Sequence, residues 1–161
     1  MTIDAVRERK PPFVPNQVVA EYAELLRTYH VTAVYGDDYA KGFHASEWAE
    51  HSVQLRKSEN STSDNYLAAL PTFLARRVHL IDNATLRNQL ISLERTVGAR
   101  DKENISHPKH SGAHDDVATA VCGAIVTALW AAKLAEAQKV PICMPFFDSS
   151  GCTVPGGSSL W

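Results

Sequence analysis

A long helical pattern toward the C-terminus constrains this chain more than any other feature. From about Asp115 to Gln138 the apolar residues Val117, Val121, Ile125 and Leu129 recur at helical spacing. Ala118, Ala124 and Ala128 widen the stripe, so the first turns of this helix belong inside a core. Its opening is acidic, His114-Asp115-Asp116, which sets two carboxylates at the start of a buried helix.

The rest of the chain must supply the layers that cover it. Residues 2–9 read as a short strand, stopped by Lys10-Pro11-Pro12 because proline lacks the ladder donor. Pro15-Asn16 opens a helix to about Tyr29, with Val18, Val19, Tyr22, Ala23, Leu25 and Leu26 on one face. Val31–Tyr35 is a β-rich run ended by Gly36-Asp37-Asp38. A short helix over 44–51 and a small strand at 53–55 follow. The polar turn 58–64 leads into a helix over about Asn65–Arg76, with Asp64 as its expected N-cap. Val78–Ile81 is expected as a strand, and Asp82-Asn83 as the cap of a helix over about Ala84–Glu94. The stretch 96–113, polar and rich in Gly, Pro and Ser, is expected as one long loop. Trp48 and Trp130 read as packing residues. The order of strands and helices predicts an α/β fold, a mixed sheet flanked by helices, over residues 1–138, with 139–161 a partly ordered C-terminal tail.

Composition narrows the class. With 161 residues, 45% hydrophobic and 21% charged, the chain is long enough to bury a core and too apolar for wholesale disorder. A net charge of -2 excludes gripping DNA by bulk electrostatics and leaves only local basic patches for that task. Cys122, Cys143 and Cys152 show no CxxC spacing; Cys122 falls in the apolar stripe as a buried thiol, and a reducing cytosol is expected. No apolar run is expected to span a bilayer, and the N-terminus lacks the apolar stretch of a signal peptide.

Two acidic clusters are positioned for chemistry. Asp37-Asp38 ends a β-rich run, where ligands of open α/β sheets collect, and Asp115-Asp116 opens a helix, whose dipole favours anions. If the fold brings them together, their oxygens suit a hard divalent cation, and two such ions hydrolyse phosphodiesters. Turns and helix caps explain the same acidic pairs, so spacing alone leaves both readings open.

The order of several motifs adds to this. Gly36-Asp37-Asp38-Tyr39-Ala40, Tyr66-Leu67-Ala68-Ala69-Leu70-Pro71, VHLIDN (Val78 to Asn83), LRNQLISLER (Leu86 to Arg95) and HDDVATAV (His114 to Val121) follow one another. Together with the stretch from Asp4 to Leu26 they resemble the C-terminal nuclease domain of phage terminase large subunits, over about Ile3 to Leu134. The resemblance implies a partial RNase H-like (RuvC-like) fold and metal-dependent endonucleolytic cleavage of concatemeric double-stranded DNA during genome packaging. It implies Asp37 and Asp116 as catalytic carboxylates, Asp37, Asp115 and Asp116 as ligands of a two-metal Mg²⁺ or Mn²⁺ site, and the cytoplasm of a bacterial host. The implied partners are double-stranded phage DNA, the terminase ATPase portion or small subunit, and the portal; no membrane is implied. Lys41, Lys109, His110 and His114 are expected near DNA, with Arg56 and Lys57 as further backbone contacts and His107 in the same polar loop; a solvated polar face explains the same residues without DNA. The family's first catalytic Asp lies on a strand ahead of the segment at which Met1 stands, so the metal site is expected to be incomplete. No GxxxxGK[ST] is present, so ATP hydrolysis is not expected. The alternative is an inactive prophage remnant, or a fragment acting only as an interaction piece through an exposed sheet edge.

Overall fold

A computed structural model describes residues 1–36, 45–98, 103–108 and 114–137. The elements are α1 (Pro15–Thr28), β1 (Ala33–Gly36), α2 (Ala45–Glu50), β2 (Gln54–Lys57), α3 (Thr62–Leu74), α4 (Ala84–Ser92), β3 (Glu94–Val97), β4 (Glu103–Ser106) and α5 (Asp116–Ala137). The chain divides into two compact units, Met1–Leu129 and Trp130–Trp161, with the boundary inside α5.

In the first unit, β1 and β2 pair in parallel, with Tyr35 opposite Arg56 and Gly36 opposite Lys57. Parallel neighbours need a crossover, and the short helix α2 lies within it, packed on β2. α1 begins with Pro15 in its first turn, where the missing N–H costs nothing. The C-termini of α1, α2 and α3 share one device. His30, Ser52 and Arg76 adopt left-handed backbone, with φ of 56, 60 and 53°. The following amide donates back into each helix: Val31 to Leu26, Val53 to Trp48 and Arg77 to Thr72, at 3.0 Å each. These are Schellman closures built without glycine.

Four expectations need correction. Asp64 does not cap α3. Ser61 does, its hydroxyl accepting from the Asp64 amide at 3.2 Å while the Asp64 carboxylate accepts the Ser61 amide, a reciprocal capping box. Asn83, not Asp82, caps α4, accepting from the Leu86 amide at 2.8 Å; Asp82 pairs with Arg87 instead. The expected strands at 2–9 and 78–81 reduce to one parallel bridge between Thr2 and His79. The expected loop from 96 contains strand instead: β3 and β4 form an antiparallel pair, Arg95 opposite Ile105. An ion pair between Arg95 and Glu103 fastens it. The hairpin escaped the sequence reading because all of β3 is exposed and only Ile105 of β4 is buried, leaving no apolar alternation to see. Among the described residues the sheet is therefore two separate two-stranded pairs, and the element order runs helix-first.

The core of the first unit forms around the start of α5, as its stripe requires. Val117, Ala118, Val121, Cys122, Ile125 and Val126 pack with Tyr66 and Ala69 of α3, Leu86 of α4 and Ile105 of β4. Burying a side chain such as Leu86 or Ile125 stabilises by about 1.5–3 kcal/mol. The Cys122 thiol lies in this core as expected, and burial pushes its pKa up to about 12. Contrary to the sequence expectation, Asp116–Glu136 has the length and mean hydropathy, 1.7, to cross a bilayer; its buried face instead supplies the core just described. In the second unit, residues 130–136 are exposed, including Trp130 at 47%, so Trp130 is not the packing residue expected.

Candidate functional site

The N-terminus of α5 is the best-braced point in the first unit, and three separate motifs meet there. The Asp115 carbonyl accepts the Thr119 amide at 2.8 Å, which puts Asp115 in the cap position and Asp116 on the first helical turn. From α3, the Tyr66 hydroxyl donates to Asp115 Oδ2 at 2.9 Å. Its single proton is thus committed, so the Thr119 hydroxyl, 2.8 Å away, donates to the Tyr66 oxygen. From α4, Gln89 Oε1 accepts the Ala118 amide at 2.9 Å, satisfying a buried donor of the first turn. From the end of β4, His107 Nδ1 lies 3.0 Å from Asp115 Oδ1. That contact lacks hydrogen-bond alignment, so it acts through proximity of charge when the imidazole is protonated. Burial, then the hydrogen bond from Tyr66 to Asp115, holds the Tyr66 phenol well above its ordinary range, and it remains a donor at neutral pH.

The two acids of the pair therefore face different surroundings. The Asp115 side chain is 15% exposed and occupied by Tyr66 and His107. Asp116 is exposed, and with His114 it lines an open groove of about 1180 Å³. The groove's other walls are the 2–11 segment, the C-terminal half of α1 and the Ala120–Ala124 face of α5; Val31, just before β1, also lines it. Arg7, Arg9, Lys10 and His114 stand in it beside Asp4, Glu8 and Asp116, so its charge is mixed.

Of the residues singled out from sequence, His107, His114, Asp115 and Asp116 come together around this helix start. Asp37, Asp38, Lys41, Lys109 and His110 lie outside the described residues, as do Cys143 and Cys152. Arg56 and Lys57 sit on β2. Among the described residues no three His, Cys, Asp or Glu side chains gather closely enough to share a metal ion. Asp116 supplies a hard oxygen donor of the type a divalent cation prefers, and further donors must come from elsewhere. Sequence reasoning missed Tyr66 and Gln89 as functional neighbours of the acidic pair. The signal was present, because Tyr66 opens the Tyr-Leu-Ala-Ala-Leu-Pro phrase and Gln89 lies in the Leu86–Arg95 phrase.

No protein-family model and no curated protein sequence matches the chain. Among solved structures it is similar to the large terminase nuclease from thermophilic phage G20c, a structure with bound cobalt. The TM-score is 0.59 at 16% identity, over 73% of this chain and 64% of that one. The chain thus spans just under two thirds of that nuclease, and what it shares with it is a mixed α/β fold of the phage large-terminase-nuclease type.

Proposed function

We propose that the chain is part of a phage terminase large-subunit nuclease domain of RNase H-like fold, over residues 1–138 with 139–161 as a tail. The activity is metal-dependent endonucleolytic cleavage of concatemeric double-stranded DNA during packaging in the bacterial cytoplasm. The observation that carries this reading is Asp116: an exposed carboxylate on the first turn of a braced helix, lining an open groove of about 1180 Å³. A helix N-terminus is a favourable place for an anionic oxygen donor, the kind a hard divalent cation takes. The likeness to a nuclease crystallised with cobalt supports it. Asp116 and Asp37 would hold Mg²⁺ or Mn²⁺, with Asp115 as the pin that orients the turn. When bound, the ions would supply an activated water and stabilise the leaving oxygen. The protein's own share is positional. Tyr66, Gln89 and His107 fix the helix start, and His114 stands beside Asp116 in the groove. DNA, the terminase ATPase portion or small subunit, and the portal are the partners of this reading.

The test is nicking of supercoiled plasmid with Mn²⁺ or Mg²⁺. Asp37→Ala and Asp116→Ala are expected to abolish it, and EDTA to stop the wild type. Cleavage that survives both substitutions overturns the assignment. A second reading, an inactive remnant or interaction piece, is favoured by one observation: both described sheets have only two strands, so each offers open edges for pairing. It expects no cleavage with any metal, and tight association with a fragment carrying the rest of a nuclease domain.

A further inference from the structure

On the exposed face of the β1–β2 pair, Arg56, expected from the sequence only as a general backbone contact, belongs to a group of three side chains. Tyr35 and Arg56 are register partners, so both project from the same face, and Gln54 lies two residues along on that face. Two neighbours on that face hold Arg56. Its Nε and Nη2 both donate to Gln54 Oε1, at 3.0 and 2.9 Å, and its Nη1 donates to the Tyr35 hydroxyl at 3.3 Å. The guanidinium carbon sits 6.0 Å from the Tyr35 ring centroid.

The choice of partners is informative. Arg9, Arg87 and Arg95 each pair with a carboxylate, Glu21, Asp82 and Glu103. Among the described residues Arg56 pairs with none; a neutral amide and a neutral phenol hold it. Among the described residues no carboxylate cancels its charge, and part of the side-chain entropy cost of binding an anion is already met. Guanidinium N–H donors remain beyond those given to Gln54 and Tyr35. The Tyr35 oxygen accepts from Arg56, so its own proton is free to donate. Both residues therefore offer donors to one oxygen-rich anion, the arrangement that suits a phosphodiester. Tyr35 stands two residues before Asp37 in the chain. With a net charge of -2 the chain has no bulk attraction for DNA, so a fixed local cation is what it needs.

We infer that Tyr35, Gln54 and Arg56 form a phosphate-contact plate for the DNA backbone at the end of β1, two residues ahead of Asp37 in the sequence. This rests on the nuclease reading and adds a binding site to it. Arg56 and Tyr35 are positioning residues here, with no part in the reacting atoms.

The experiment is fluorescence anisotropy of a labelled DNA duplex with the full chain in EDTA, where no cleavage occurs, across a salt series. Arg56→Gln is expected to weaken binding about fivefold to tenfold and to lower the slope of log K against log salt by about one. Arg56→Lys should keep the slope and recover part of the affinity, and Tyr35→Phe should weaken binding without changing the slope. Arg87→Gln, which removes an arginine already paired to Asp82, is the control and should stay within about twofold of wild type. Wild-type affinity and slope in Arg56→Gln overturn the inference. So does a loss matched by Arg87→Gln, an absence of duplex binding by the wild type, or equal competition by polyglutamate. If Arg56→Gln weakens binding but no metal supports plasmid nicking, the plate stands and the nuclease reading falls. If nicking occurs and Arg56→Gln is silent, the plate falls and the nuclease reading stands.

Discussion

Replacing Tyr66 by Phe removes one oxygen from the bracing of α5 and leaves the buried ring where it is. Tyr66 is 4% exposed and packs in the core, so the substitution opens little volume and isolates the hydroxyl. That hydroxyl donates to a carboxylate at 2.9 Å, and the acceptor's side chain is only 15% exposed, so water replaces the bond poorly. A hydrogen bond to a charged group in such surroundings is worth about 1.5–3 kcal/mol. The Thr119 hydroxyl loses its acceptor as well, but it can turn to the Asp115 carbonyl one helical turn back, which offsets that part. The expected destabilisation is therefore about 1.5–3 kcal/mol, a fall in Tm of roughly 3–12 °C at about 2–4 °C per kcal/mol. Urea unfolding followed by circular dichroism measures it, with Asp115→Asn and the double variant completing a cycle. The single substitutions should not add: once Asp115 is neutral, the phenol has less to lose. Tyr66→Phe within about 0.5 kcal/mol of wild type, or a cycle that is additive, refutes the bracing argument.

Three further expectations follow from the structure. The Cys122 thiol, raised by burial from 9.0 to about 12, favours its neutral form in the folded state, so its stabilising contribution is complete below about pH 9. Above that the unfolded thiol ionises while the folded one does not. Stability therefore falls between about pH 9 and 12 by up to about 1.4 kcal/mol per pH unit, a slope that Cys122→Ala should flatten in denaturant titrations. At pH 7.5 the same burial should keep Cys122 unalkylated in the native protein, as peptide mass spectrometry would report; rapid native labelling contradicts it. At Arg76, exposed and left-handed at φ 53°, glycine removes a side chain that strains that backbone. After the added chain entropy of glycine is set against the relief, Arg76→Gly should stabilise by about 0.5–1 kcal/mol. An unchanged or lower urea midpoint argues against it.

Legibility from sequence followed the strength of each local signal. α1 and α5 were visible because their apolar residues repeat at helical spacing over several turns, and both begin within a residue of expectation. Helix ends were harder. Glycine usually marks the left-handed closing residue, and here His30, Ser52 and Arg76 occupy it. The α3 cap was misplaced by three residues because Ser61 and Asp64 act as a pair, and the acid is the more conspicuous half. The β3–β4 hairpin was invisible because it buries a single apolar residue, Ile105. At the site, the acids could be picked out by position, but their partners could not. Tyr66 reaches Asp115 across 49 residues of sequence and Gln89 reaches Ala118 across 29, distances over which no periodicity carries information.

The division between Asp115 and Asp116 follows from helix geometry more than from the identity of the acids. Asp115 caps the helix and Asp116 stands on its first turn, and of the two only Asp116 lines the groove. Left to themselves, two adjacent negative charges would repel, and the unpaired first-turn amides only partly relieve this. Here Tyr66 donates to the inner acid and His107 stands against it, which leaves the outer acid to face the groove. Asp115 already accepts from Tyr66 on Oδ2 and has His107 3.0 Å from its Oδ1, while Asp116 lines the groove. The economical arrangement is therefore one pinned carboxylate and one outward donor, and the remaining donors of any metal site must come from another segment. Asp37, the next residue in the sequence after β1, is the acid that the motif order points to.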